Sequence, residues 1–144
     1  MDSTKIETTN FRLRVIIDGI TQSKFTEVII PDVTIEVKEY RDGRDITMRK
    51  IPGVIRYSNL ILKCGITESM ELYNWHKDIV DGKINSSRKN VSVVLLDREG
   101  NEAARWRFER AWPTKYTAPL INANENEIAI EVLEITHEGM IREK

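Results

Sequence analysis

The sequence is poor in the features that build disulfide-stapled, metal-bound or membrane-spanning proteins. Its 144 residues include one cysteine, Cys64, which excludes an intrachain disulfide and a cysteine-rich metal site. No stretch approaches the roughly 20 consecutive apolar residues of a membrane helix, so we expect no membrane anchoring. The polar residues 1–5 have no apolar run behind them, which predicts synthesis in the cytoplasm without a secretory signal.

An excess of charge of one sign is also missing. The formal net charge is -1, with 22 basic and 23 acidic residues. Because an electrostatic grip on nucleic acid or anionic lipid needs a basic excess, this balance argues against both as the main partner. The balance of 40% hydrophobic and 31% charged residues is typical of one globular domain. We expect that domain to span residues 1–144, with a flexible segment at 1–8.

The motifs of the common catalytic sites are absent from the sequence. His76 and His137 lie far apart and have no cysteine cluster or carboxylate set beside them, so no metal site is predicted. Ser86 and Ser87 do not form the Gly-x-Ser-x-Gly turn of an activated hydroxyl. The seven glycines fall singly, which argues against a phosphate-cradling loop. We therefore expect no cofactor and no enzymatic activity.

A two-residue periodicity dominates what the sequence does contain. Alternation of apolar and polar side chains predicts β-strands, and a segment that is apolar on both faces predicts a buried one. The predicted strands lie at 11–17, 25–30, 33–37, 60–64, 91–96, 104–108 and 128–135. The polar turn at 97–101 predicts a hairpin between two of them. The chain is therefore predicted to be mainly β, an antiparallel β-sandwich or barrel of six or seven strands.

One segment has helical rather than strand periodicity. Leu72, Trp75 and Ile79 recur at helical spacing, behind a candidate cap at Thr67 and ahead of a stop at Gly82. This pattern predicts one α-helix over about 67–81, and its narrow apolar stripe is expected to cover the sheet.

The segment 104–113 has the clearest separation into an apolar and a charged face. Ala104, Trp106 and Phe108 alternate with charged residues, and Pro113 ends the strand. We expect four large aromatic side chains to pack in the core: Trp75, Trp106, Phe108 and Trp112.

A long polar segment at about 39–53 interrupts the strand pattern. It exceeds the usual connection of about two to six residues, and long loops of this kind are commonly functional. Its arginines, methionine and mixed charges suit contact with another copy of the same protein. The alternative is a mobile surface hairpin without a role in binding.

Several motifs, in their order along the chain, resemble the tail tube protein family of contractile phage tails and phage-tail-like contractile injection systems. They are Phe11 to Gly19, Glu39-Tyr40-Arg41-Asp42-Gly43, Arg49-Lys50-Ile51-Pro52-Gly53, Leu60 to Gly65, Arg105-Trp106, Ala111 to Lys115, Asn126 to Glu131, and His137-Glu138-Gly139. The similarity covers residues 9–140.

The resemblance implies a structural, self-assembling protein. Members of this family form homo-hexameric rings that stack into a tube with a central channel for protein cargo or DNA. The tube lies inside a sheath, ends at baseplate and tube-cap proteins, and belongs to a particle that is either released or cell-anchored. By this resemblance, the 39–53 segment is the extended hairpin that reaches neighbouring subunits. Its expected inter-subunit and inter-ring contacts are Tyr40, Arg41, Asp42, Arg44, Arg49 and Lys50.

Two other functions stay open at this point. A tube-initiating or baseplate protein of the same particle would share the fold and differ in its loops. A small-ligand-binding β-barrel would need convergent polar groups inside an apolar pocket, and the sequence offers no visible set of them.

Overall fold

The computed structural model describes residues 11–21, 25–123 and 129–144. Within these ranges the chain forms nine β-strands and two helices. The predicted flexible segment 1–8 lies outside the described residues. The strands are β1 Arg12–Ile17, β2 Phe25–Ile29, β3 Val33–Tyr40, β4 Arg49–Tyr57, β5 Leu60–Gly65, β6 Lys89–Leu96, β7 Glu102–Thr117, β8 Ile130–Thr136 and β9 Gly139–Arg142. The helices are α1 Glu71–Val80 and α2 Ile84–Ser87.

Seven of the strands form one antiparallel sheet in the order β1-β6-β7-β8-β5-β2, with β9 paired to β7. The long strand β7 belongs to both halves of this sheet. Its first part pairs with β6 and β9, and its last part pairs with β8. Within the described residues β1 and β2 end the sheet without pairing to each other, so the sheet forms an open sandwich rather than a closed barrel.

The hairpin predicted around residues 97–101 is formed by β6 and β7. The Asp97 backbone amide donates a hydrogen bond to the Asn101 carbonyl oxygen at 2.8 Å, and Gly100 closes the turn at a φ of 86°. This positive φ is readily adopted by glycine and costs other residues energy. The predicted turn chemistry therefore agrees with the structure.

A β-bulge in β7 decides which aromatic side chains reach the core. Between the pairs Val91–Phe108 and Lys89–Ala111, β7 contains one residue more than β6, and Arg110 takes a φ of 52°. Because an extra residue reverses the alternation of side chains, Phe108 and Ala111 both face the core. Trp112 consequently lies on the face opposite Ala111 and is only half-buried.

The buried core lies between the two halves of the sheet and under α1. Trp106 is half-buried and packs against this core from its edge, where the Arg142 guanidinium lies 5.6 Å from the centre of its ring. The indole Nε1 of Trp75 donates a hydrogen bond to the Ser87 carbonyl oxygen at 2.6 Å, which ties α1 to α2. The core residues are Val15, Ile17, Leu60, Leu62, Cys64, Leu72, Trp75, Val91, Val93, Phe108, Ala111, Leu133 and Ile135.

Helix α1 begins at Glu71 rather than at the predicted Thr67. The Thr67 hydroxyl oxygen accepts a hydrogen bond from the Ser69 amide, and the Ser69 hydroxyl oxygen accepts one from the Glu71 amide. These side chains satisfy backbone donors in a turn, so the helix starts only after them. Gly82 follows the helix with a φ of 88°, as its role as a stop predicts. No helix within the described ranges has the length and apolar character needed to cross a membrane.

Candidate assembly surface

The β3–β4 hairpin, residues 33–57, forms a two-stranded sheet of its own. Within the described part of the chain these strands pair only with each other, and every residue of β3 is exposed. The predicted loop at 39–53 is thus shorter in the structure, where 41–48 is the loop and β4 continues from Arg49. The hairpin is therefore separate from the main sheet of the sandwich.

One face of this hairpin is apolar and uncovered. The pairs Val33–Tyr57, Ile35–Ile55 and Val37–Pro52 are opposite one another in the ladder, so their side chains share a face. Val37 is 59% exposed and Ile55 is 55% exposed. Contiguous exposed apolar surface of this kind marks an interaction site in soluble proteins.

The opposite face of the hairpin is mainly polar and charged, with Ile51 as an exposed apolar residue. It carries the cross-strand pairs Lys38–Ile51 and Tyr40–Arg49. A Cβ atom at Gly53 would lie 3.2 Å from Cγ and Cε of Lys38, so the absence of a side chain there lets the Lys38 stem lie across β4. The hairpin is therefore amphipathic, with one face suited to apolar contact and the other to ionic contact or water.

The loop at the tip of the hairpin is held together by Asp45. The Arg49 guanidinium donates two hydrogen bonds to the Asp45 carboxylate, from Nε at 2.8 Å and from Nη2 at 3.0 Å. The other partner of this carboxylate is the Asp42 backbone amide, at 3.1 Å. The Asp45 carboxylate, and to a lesser extent the Tyr40 hydroxyl, raise the pKa of Arg49. Bidentate pairing fixes orientation as well as distance, so the loop is preshaped before any partner binds.

The six predicted contact residues all lie on this hairpin and all are exposed. Arg49 is engaged in the ion pair with Asp45. Among the described residues, no ion pair involves Arg41, Arg44 or Lys50, whose charges are directed to solvent. Three of the six lie in strands and three in the loop: Tyr40, Arg49 and Lys50, and Arg41, Asp42 and Arg44.

Sequence reasoning missed strand β4 and the apolar face that it shares with β3. The alternation of Val33, Ile35 and Val37 resembles that of a core strand, and nothing in it indicates that the strand stays uncovered. A signal for the hairpin was nevertheless present. Glu39 and Lys50 are opposite each other in the ladder, and an opposite-charge pair is a common cross-strand contact.

His137 joins the base of the hairpin to the core. Its Nε2 atom lies 3.0 Å from the Ser58 carbonyl oxygen, and its ring lies between those of Tyr57 and Phe108, with centroid distances of 5.4 and 5.0 Å. The Ser58 hydroxyl oxygen accepts a hydrogen bond from the Asp32 amide at 2.8 Å. This bond joins the residue before β3 to the residue after β4. His137 therefore packs as a structural residue at this junction.

The polar cluster inside the sandwich consists of Cys64, Tyr116 and Glu131. The Tyr116 hydroxyl donates a hydrogen bond to Glu131 Oε2 at 2.7 Å, and Cys64 Sγ lies 3.5 Å from Oε1. Burial, followed by the bond to Glu131, raises the pKa of Tyr116 to about 12. In the described ranges no three His, Cys, Asp or Glu side chains come together as a metal ion would require.

Comparison with known proteins agrees with this architecture. The family described as T4-like virus tail tube protein gp19 matches residues 7–141. No curated protein sequence matches the chain.

Three solved structures illustrate the likeness. The fold is similar to a chain of the PVC sheath–tube complex of an extracellular contractile injection system in the extended state. That likeness has a TM-score of 0.74 and 23% identity, and covers 99% of this chain and 98% of the other. A chain of the PVC sheath/tube terminator is 25% identical, with a TM-score of 0.74 and 93% of each chain covered. Hcp1 from Flavobacterium johnsoniae is 19% identical, with a TM-score of 0.57 and coverage of 91% of this chain and 94% of the other.

The family match spans nearly the whole chain, and the open sandwich with its projecting hairpin has the same fold as these tube proteins. The chain belongs to the T4-like virus tail tube protein gp19 family.

Proposed function

We propose that the chain is a structural subunit of the inner tube of a contractile injection system or contractile phage tail. Copies join side by side into six-membered rings, and the stacked rings enclose a channel for protein cargo or DNA. The observation that carries this proposal is the β3–β4 hairpin. It presents an apolar face that the described residues leave uncovered, next to a preshaped tip whose cations form no ion pair with them apart from Arg49.

Physical reasoning supports assembly of the chain with itself. The sheet ends at two strand edges, β1 and β2, and free edges are sites where another strand can pair. A closed ring converts such edges into interfaces, and contacts between two different surfaces of one chain close into rings or extend into filaments. Stable contacts of this sort bury about 1,000 Å² or more.

The similar solved structures suggest which other proteins surround the tube and lie at its ends. The PVC structures contain a sheath–tube complex and a sheath/tube terminator. We therefore expect a sheath protein around this tube, and baseplate and cap proteins at its ends. The particle is released from the cell or anchored in it. The role is that of a conduit, without turnover and without a cofactor.

The test is negative-stain electron microscopy of the purified protein, together with its mass in solution. Wild-type protein is expected to form rings or hollow tubes. The double variant Val37→Asp/Ile55→Asp is expected to stay folded and to lose them, because it places charges on the apolar hairpin face. The matched control is Arg98→Asp/Lys115→Asp, which changes exposed residues away from the hairpin and should assemble normally. A wild-type protein that is monomeric at every concentration would contradict the proposal.

A further inference from the structure

A second exposed surface with apolar side chains lies beside helix α1, outside the hairpin. A shallow groove of about 230 Å³ is lined by the apolar or aromatic side chains of Ile66, Met70, Tyr73 and Tyr116 and by the polar residues Thr67, Ser69 and Glu131. Met70 is 58% exposed, and the rings of Tyr73 and Tyr116 meet edge to face with centroids 5.5 Å apart. A neighbouring hollow of about 280 Å³ continues along the helix to Val80. The body of the molecule therefore carries an open groove that is mainly apolar beside Met70 and of mixed polarity toward Val80.

The loop at the tip of the β3–β4 hairpin carries two apolar side chains, Ile46 and Met48, and Ile46 is the more exposed of them. Ile46 is 98% exposed, the most exposed of the large apolar side chains in the described ranges. It follows Asp45 directly, so the ion pair between Asp45 and Arg49 fixes the backbone from which it projects. A preshaped apolar knob loses little conformational entropy when it binds.

The charges around the knob and around the groove have opposite signs. Residues 41–50 contain four basic and two acidic side chains, a net charge of +2. Residues 66–83, which include α1, contain four acidic and two basic side chains, a net charge of -2 with His76 neutral. Hydrogen bonds from the Thr21 hydroxyl and amide lower the pKa of Glu71, which keeps this carboxylate ionised beside the groove. Complementary charge of this kind steers association and sets its register.

We infer that the hairpin tip of one copy inserts Ile46 into the α1 groove of a second copy, with Arg44 directed toward Glu68. Glu68 is an exposed carboxylate between the groove residues Thr67 and Ser69. This inference rests on the proposed function, since it names the surface that receives the hairpin in the assembled tube. The knob and the groove are different surfaces of one chain, so their contact is heterologous and repeats from copy to copy. One chain therefore supplies both halves of a repeating joint.

The first test is cross-linking between two single-cysteine substitutions. A chain carrying Ile46→Cys is mixed with a chain carrying Met70→Cys, and the native Cys64 is buried in both. Under mild oxidation a disulfide-linked dimer is expected on a non-reducing gel. The control pairs Met70→Cys with Arg98→Cys, on the exposed turn between β6 and β7, and should give none. Equal yields from the two pairs would overturn the inference, as would a link formed within a single chain.

The second test is a charge exchange. Arg44→Glu is expected to cause loss of tubes, and Glu68→Arg added to the same chain is expected to restore them. The matched control adds Glu99→Arg instead, which should restore nothing. Restoration by both second changes would indicate a general charge effect and would overturn the pairing of Arg44 with Glu68.

The two proposals fail in different ways. Wild-type tubes that form while the Ile46 and Met70 cysteines never link would overturn the groove as the receiving surface and leave the tube function standing. That result would leave another component, such as the sheath, as the occupant of the groove. Specific dimers linked through these cysteines, from a protein that never forms rings or tubes, would support the joint and contradict the tube.

Discussion

The Arg49 guanidinium binds the Asp45 carboxylate through two hydrogen bonds. This is the only bidentate ion pair among the described residues, and it lies at the tip of the β3–β4 hairpin. The exposed fractions of the two side chains differ: that of Arg49 is 57% exposed and that of Asp45 is 17%. The pair shapes the loop and leaves Arg41, Arg44 and Lys50 as the hairpin-tip cations that are available to a neighbour. Two kinds of arginine therefore occupy one short segment, with different roles.

Reversal of the two available arginine charges is expected to block assembly without unfolding the subunit. The variant Arg41→Glu/Arg44→Glu changes exposed side chains, which rarely alter folding stability by more than about 0.5 kcal/mol. Its circular dichroism spectrum and melting should match those of the wild type, while electron microscopy should show shortened tubes or none. Tubes of normal length would remove these arginines from the assembly contacts. The control Arg98→Glu/Lys115→Glu carries the same change of charge elsewhere and should assemble.

Because of the β7 bulge, alanine substitutions of three aromatic residues are expected to lower the unfolding free energy by different amounts. Phe108 is fully buried, so Phe108→Ala is expected to cost about 3–5 kcal/mol of unfolding free energy. Trp106→Ala should cost less, because part of that ring is exposed, and Trp112→Ala should cost the least. Urea unfolding of the unassembled subunit measures all three. A loss for Trp112→Ala equal to that of Phe108→Ala would mean that the bulge does not turn Trp112 away from the core.

Two substitutions of Arg110 are expected to have unequal effects on stability. Its φ of 52° lies in the left-handed region, where a side chain costs roughly 1–2 kcal/mol and glycine does not. Arg110→Gly relieves that cost but loses the exposed ion pair with Glu138, so unfolding free energy should change by less than about 1 kcal/mol. Arg110→Val should destabilise more, since β-branched residues avoid positive φ. Equal losses from both variants in urea unfolding would argue against the strained geometry.

We expect the folded chain to lose stability at high pH because of Tyr116. Its pKa is raised to about 12 in the folded chain, against about 10 in an unfolded one. Since the folded state holds the proton more tightly, this contribution is complete below pH 10 and is lost as the pH rises toward 12. Ultraviolet titration should show one tyrosine ionising late, and Tyr116→Phe should remove that step. A variant whose late step persists would place it on another tyrosine.

The predictions from the sequence agree best with the structure for features that depend only on residues close together in the chain. Alternation predicted β1, β5 and β8, and helical spacing predicted α1, because each pattern records which face of an element is apolar. A run that is apolar on both faces predicted β6. The turn at 97–101 was predicted from its own residues. The start of α1 was less accurate, because Thr67 and Ser69 bind backbone amides of a preceding turn.

Sequence patterns alone established the class of fold and the family, and they predicted a segment for the assembly contacts. The surface that each apolar face contacts depends on the tertiary structure. β1 and β3 share the same alternation, yet Val15 is buried and Val37 is exposed. The bulge at Arg110 similarly turned Trp112 away from the core, although its sequence neighbourhood predicts burial. The physical reason is that periodicity specifies which side of a strand excludes water, whereas the surface that covers that side comes from distant parts of the chain or from another copy.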